Sequence, residues 1–131
     1  MDICLDTSAY SAFKRGHKAI VESIATADRI TLPAVVLGEL LAGFRAGSRE
    51  EANREDLGRF LGSPRVSHAA VDEETAERYA EIILHLRSEG TPIPTNDVWI
   101  AAVAMQRGLL LHTTDPHFER IPQVIVRRHE L

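Results

Sequence analysis

Thr95-Asn96-Asp97-Val98-Trp99-Ile100-Ala101-Ala102-Val103-Ala104-Met105 is apolar at nearly every position after its opening residues. A helix with no polar face belongs inside a protein, not on its surface. The other elements must therefore cover it from several sides. It nevertheless carries an acid, Asp97, in its first turn. The helix dipole favours an acid there, and Thr95 fits the cap position before it. A carboxylate at the head of a rigid, packed helix is equally well placed to hold a ligand steady.

The flanks of this helix point to an alternating architecture. Gly90-Thr91-Pro92-Ile93-Pro94 is a stiff loop leading into it, and Gly108 stops it. Leu109 to Thr113 then reads as a strand of the continuous apolar type, buried on both faces. Asp115-Pro116 signals another capped start, and a last strand is expected over 123–126, before the basic tail Arg127-Arg128-His129.

Towards the N-terminus, Asp2 to Leu5 predicts a strand. Asp6-Thr7-Ser8 then caps a helix over about 9–15 that stops at Gly16. A second helix over about 17–27 precedes a strand at 29–32. Pro33 suits the first position of a helix reaching Ala46. The densely charged stretch 48–61 reads as a solvated helix, and 65–67 as a weak strand. Asp72 caps a helix to about Arg87 that is expected to face Ala76, Tyr79, Ala80, Ile83 and Leu84 inward, with Glu73, Glu74, Glu77 and Glu81 on its wet side. Strands alternating with helices predict an α/β fold with an open, mostly parallel sheet covered on both faces.

A chain of 131 residues is expected to form a single domain, 1–131, with a real core. Aromatics make up only 5%, so that core is expected to be aliphatic and alanine-rich. The lone cysteine, Cys4, lies within an apolar run and excludes an intrachain disulfide. The N-terminus lacks the basic and apolar regions of a signal peptide. No apolar run approaches the roughly 18 residues of a membrane span. A soluble cytoplasmic protein is expected. The net charge of −4 argues mildly against nucleic-acid binding, but bound divalent cations would invert the local field.

Four acids stand in apolar settings. Asp6 and Asp115 each follow a predicted strand, at the carboxyl edge where open parallel sheets bind ligands. Asp97 and Glu39 lie on helices that can reach the same edge. Taken singly, Asp6, Asp97 and Asp115 read as helix caps or first-turn acids. Glu39, amid Val35, Leu40 and Leu41, needs a partner, and a salt bridge to Arg45 or Arg107 is its structural reading. Four converging carboxylates would resist ionisation unless cations offset their repulsion. Oxygen ligands of this kind suit Mg²⁺ or Mn²⁺, which can support phosphodiester hydrolysis.

Leu5-Asp6-Thr7-Ser8, Gly38-Glu39-Leu40, Asn96-Asp97-x-x-Ile100-Ala101-Ala102 and Thr113-Thr114-Asp115-x-x-Phe118 resemble, in order and spacing, the motifs of PIN-domain nucleases. Within them the chain looks like a VapC-type toxin of a type II toxin–antitoxin pair. The resemblance implies a three-layer α/β/α sandwich and a Mg²⁺- or Mn²⁺-dependent endoribonuclease. It further implies that Asp6, Glu39, Asp97 and Asp115 hold the metal, Asp6 and Asp97 foremost. Thr7 or Ser8 and Thr113 match positions that orient the acids or the attacking water, and Asn96 a supporting polar position. A homodimer and a small VapB-like antitoxin that fills the acidic site, often with an arginine, are implied as well.

Lys14, Arg15 and Lys18, and likewise Arg45, Arg49 and Arg54, could steer RNA or serve as ordinary solubilising charge. The six histidines show no ligand spacing; His112 and His117 lie near Asp115, but hard-metal chemistry does not require them. A dehalogenase-like phosphatase also places an aspartate after its first strand, but needs a second acid where Ser8 stands. A catalytically silent PIN-like module binding RNA or protein is the remaining alternative, and the presence of all four acids argues against it.

Overall fold

Five short strands form one sheet in the order β3-β2-β1-β4-β5, and all four pairings are parallel. The computed structural model describes residues 1–131. β1 (Asp2–Leu5) lies at the centre, between β2 (Arg29–Pro33) and β4 (Leu110–Thr113). β3 (Val66–Ala69) and β5 (Val126–Arg128) form the edges. Ile3, Cys4, Leu5, Ile30, Leu32 and Leu111 are buried, as expected for central strands of a parallel sheet covered by helices.

The chain runs outward from β1 to β2 and β3, then returns across the sheet to β4. Strand order therefore reverses between β1 and β4. In open α/β sheets a crevice opens beyond the carboxyl ends of the strands at such a point. Leu5 is paired with His112, so the residues that follow the two strands emerge side by side.

The helices are α1 (Thr7–Lys14), α2 (Lys18–Thr26), α3 (Ala34–Ala46), α4 (Glu50–Leu61), α5 (Glu73–Glu89) and α6 (Thr95–Arg107). A 3₁₀ helix, Pro116–Arg120, links β4 to β5. α6 is the buried helix its sequence predicts: Val98, Ile100, Ala101, Ala102, Val103 and Ala104 are all enclosed. It packs against α5, α3, β4 and the 3₁₀ helix. Tyr79 of α5 stacks on Trp99 of α6, with ring centroids 3.9 Å apart. The charged helix α4 is pinned by Leu57 and by Phe60, whose ring meets those of Tyr10 and Phe13 at 5.4 Å each.

Several expectations need correction. Thr95 is the first residue of α6 and Pro94 occupies the cap position, so no side chain caps that helix. Pro33 ends β2 and precedes α3; it does not open the helix. The inward face of α5 is carried by Thr75, Ile82 and Leu86, with Tyr79 and Ile83 half-buried, whereas Ala76 and Ala80 are exposed and Leu84 is 63% exposed. Thr75 disguised this stripe. Its hydroxyl completes a capping box with Asp72 and bonds Gln106 of α6, so a polar side chain is buried fully satisfied. The last strand lies in the basic segment, pairing Leu111 with Val126 and Thr113 with Arg128. An edge strand tolerates charge because one side of it faces solvent, and Arg128 pairs there with Glu119 and Glu130.

Candidate metal centre

Asp6 is the first residue beyond β1, and its backbone N–H donates to the His112 carbonyl across the β1–β4 boundary at 3.3 Å. It caps α1, accepting from the Ala9 N–H at 2.8 Å, as its sequence position predicts. The same carboxylate accepts from the Thr113 hydroxyl at 2.6 Å and from Ser8 Oγ at 2.8 Å. Only 4% of Asp6 is exposed. Burial raises its pKa, while the bonds from Thr113, Ala9 and Ser8 oppose the rise. Ser8 Oγ also lies 2.9 Å from the second oxygen, so both carboxylate oxygens are held by donors.

Thr113 does two things. Its hydroxyl donates to Asp6 and accepts the Asp115 N–H at 2.9 Å, tying together the ends of β1 and β4. Ser8 adds a second tie, accepting from the Thr114 N–H at 2.9 Å. Asp115 is thereby held next to Asp6, and its negative charge contributes to raising the Asp6 pKa.

Asp97 enters from the head of α6, its side chain 15% exposed. Burial first, then the Asp115 carboxylate, and in smaller measure Asp6, push its pKa from 3.8 up to about 6, against the opposing pull of His117. Asp6, Asp97 and Asp115 thus act on one another across three separate segments. The reluctance of Asp6 and Asp97 to ionise is what a cation beside them would relieve.

Glu39 stands apart from this group. It makes no salt bridge to Arg45 or Arg107; the Thr7 hydroxyl donates to one oxygen and Asn96 Nδ2 to the other, at 3.3 Å. Because Thr7 follows Asp6 and Asn96 precedes Asp97, these bonds join Glu39 to the backbone segments carrying two of the other acids. The eight residues singled out from sequence are thus linked by hydrogen bonds and charge, but of the four acids only Asp97 and Asp115 bring ligand atoms into one compact cluster, and Asp6 and Glu39 lie outside it.

His117, set aside in the sequence reading as not required by hard-metal chemistry, stands beside the acids. Asp115 caps the 3₁₀ helix by accepting the His117 N–H at 2.9 Å. That tight Asp-Pro-His turn aims the imidazole at both acids: His117 Nδ1 lies 3.1 Å from Asp115 Oδ1 and 3.3 Å from Asp97 Oδ2. Ligand atoms of Asp97, Asp115 and His117 all lie within 4.8 Å of one another. An octahedral ion with bonds of about 2.1 Å holds neighbouring ligand atoms about 3 Å apart, so these residues fit a single divalent cation. The available signal was an Asx-type turn placing His117 two residues after a candidate ligand; spacing among histidines alone could not reveal it.

Residues 3–124 match the family described as PIN domain, and the chain belongs to that family. It is 31% identical over 114 residues to ribonuclease VapC5 of Mycobacterium tuberculosis, covering 87% of this chain and 83% of the relative. To ribonuclease VapC4 of the same organism it is 34% identical over 92 residues, covering 70% and 71%. The fold superposes with a TM-score of 0.86 on a chain of VapBC2 from Rickettsia felis, solved bound to a promoter DNA fragment, at 26% identity and covering 99% and 100% of the two chains. VapBC-5 from Mycobacterium tuberculosis gives 0.77 at 28% identity, covering 98% of each. Among PIN domains, its place is with the VapC toxins of VapBC toxin–antitoxin systems.

Proposed function

We propose that this protein is a Mg²⁺- or Mn²⁺-dependent endoribonuclease acting as the toxin of a type II toxin–antitoxin pair. The observation that carries the reading is the convergence of Asp97, Asp115 and His117, with Asp6 beside them, at the point where strand order reverses. The names of the two ribonuclease relatives support RNA as the substrate. A divalent ion bound there supplies positive charge to phosphate oxygens and makes a water more acidic.

The chain's own residues do the positioning. Asp97 and Asp115 hold the cation from a packed helix and from a capped turn, two supports that move little. Thr113 and Ser8 fix Asp6 in place, and its charge acts on Asp97. Glu39, restrained by Thr7 and Asn96, lies at the rim, where it can accept a hydrogen bond from an approaching water or hold a second cation.

RNA reaches the site with modest help from surface charge. Lys14 pairs with Asp56 at 3.1 Å, and Arg45 and Arg54 both pair with Glu50, at 3.7 and 3.6 Å. The −4 charge of the chain then leaves cation binding as the step that makes the mouth hospitable to phosphate. A guanidinium matches a carboxylate pair in a bidentate fork, so an arginine of a small VapB-like antitoxin would block the same acids. Several structural relatives are toxin–antitoxin complexes, which supports that partner. A homodimer in the cytoplasm completes the reading. No helix is long and apolar enough to cross a membrane.

Purified protein is expected to cleave RNA in Mg²⁺ or Mn²⁺, to stop in EDTA, and to recover when Mn²⁺ is restored. Cleavage that continues in EDTA, or none with metal present, would refute the metal-dependent reading.

A further inference from the structure

Resting on the metal-site reading above, we propose that His117 is a nitrogen ligand of the cation and that it makes this centre select Mn²⁺ over Mg²⁺. Its Nδ1 sits 3.1 Å from Asp115 Oδ1 and 3.3 Å from Asp97 Oδ2, the separations found between neighbouring atoms in one octahedral shell. The ring does not reach this position by chance rotation alone. The His117 N–H is bound to the Asp115 carboxylate, and Pro116 stiffens the turn between them, so ligand and turn are built by the same three residues. The side chain is 36% exposed, leaving its outer edge in solvent and its Nδ1 edge on the acids.

No other histidine takes this place. His112 and His129 are buried and bonded to each other, Nδ1 to Nε2, at 2.8 Å, and His17 Nε2 is bonded to the Glu130 carbonyl. An imidazole nitrogen is a softer donor than a carboxylate oxygen. Mg²⁺ dehydrates reluctantly and retains its waters, whereas Mn²⁺, a larger transition-metal ion that gives up water more easily, loses less on exchanging an oxygen ligand for an imidazole nitrogen. One such ligand in an otherwise carboxylate site therefore shifts its preference between two ions of equal charge.

The test is pulsed electron paramagnetic resonance on the untagged protein loaded with Mn²⁺, beside calorimetric titration with Mn²⁺ and Mg²⁺. The Mn²⁺ echo of the wild-type protein should carry ¹⁴N modulation that disappears in His117→Leu and changes on labelling with [¹⁵N]histidine. Mn²⁺ affinity should fall about tenfold or more in that variant, with Mg²⁺ affinity altered less than about twofold. Bound Mn²⁺ without nitrogen coupling in the wild-type protein, or coupling unchanged in His117→Leu, overturns the proposal while leaving the carboxylate site intact. Equal Mn²⁺ binding by wild-type and Asp97→Asn proteins would overturn the metal-site reading together with it.

Discussion

Asp97→Asn is expected to lower RNA cleavage by at least about 100-fold and, in the absence of divalent metal, to make the protein more stable. The loss follows if Asp97 holds the ion whose charge assists the reaction, since removing one such preorganised electrostatic contact costs on the order of 10²–10³ in rate. The gain in stability follows from the position of the same carboxyl. Burial and the Asp115 charge lift its pKa from 3.8 to about 6. Between these values the folded protein binds more protons than the unfolded chain, so its stability falls as pH rises through that window. The penalty is absent below about pH 4 and complete above about pH 6. Asparagine has no charge to desolvate. Discounted for solvent screening, the expected gain is roughly 1–2 kcal/mol at pH 7.5, or about 3–6 °C in melting temperature. Thermal melts in EDTA from pH 4 to 7.5 check this: the two proteins should converge at the acid end and separate towards neutrality. A variant less stable than wild type at pH 7.5 would mean that Asp97 serves chiefly to compensate the helix dipole.

Thr113→Val should have the opposite effect on stability. Valine keeps the shape of the side chain but deletes the hydroxyl that donates to Asp6 at 2.6 Å and accepts the Asp115 N–H at 2.9 Å. Asp6 would keep Ser8 and the Ala9 N–H as donors, yet its buried charge would lose its shortest bond. Hydrogen bonds to charged groups contribute about 1.5–3 kcal/mol, and an orphaned buried donor costs about 1–3. A loss of roughly 2–3 kcal/mol in urea unfolding is expected. Cleavage should fall about 10–100-fold, as for other groups that orient metal ligands. A change below about 0.5 kcal/mol, the range of ordinary surface substitutions, would show that Thr113 does not bolt β1 to β4.

The two variants separate the roles of two polar positions that look alike in the sequence. Asp97 is a charge held in place at a cost to stability; Thr113 is a neutral group that reduces such a cost. Thr113 lies at the β1–β4 boundary, where the reversal of strand order brings the ends of those strands together, and Asp97 approaches from the head of α6.

Much of this arrangement was legible before the fold was described. Val98 to Ala104 could be read as buried because no polar face interrupts them, and alternating strands and helices implied the parallel sheet. Asp6 and Asp115 were legible as edge residues because each follows an apolar run. What escaped depended on tertiary partners. Thr75 carries no apolar signal, and only its partners Gln106 and Asp72 let it be buried. Arg127 and Arg128 looked like a tail because charge is uncommon in strands, except at an edge. In the sequence Glu39 reads as one of the four metal-holding acids, with a salt bridge as its alternative, yet its partners are Thr7 and Asn96, which hold it apart from Asp97 and Asp115. His117 stands near Asp115 in the sequence but carries no ligand signal there, because its geometry comes from a turn with Asp115 and from the approach of α6.

Crystals of the protein soaked in Mn²⁺ and measured at the manganese absorption edge test the central claim most directly. An anomalous peak is predicted between the carboxylates of Asp97 and Asp115, next to His117 Nδ1. No peak there at saturating Mn²⁺, or a peak elsewhere on the surface, would contradict it.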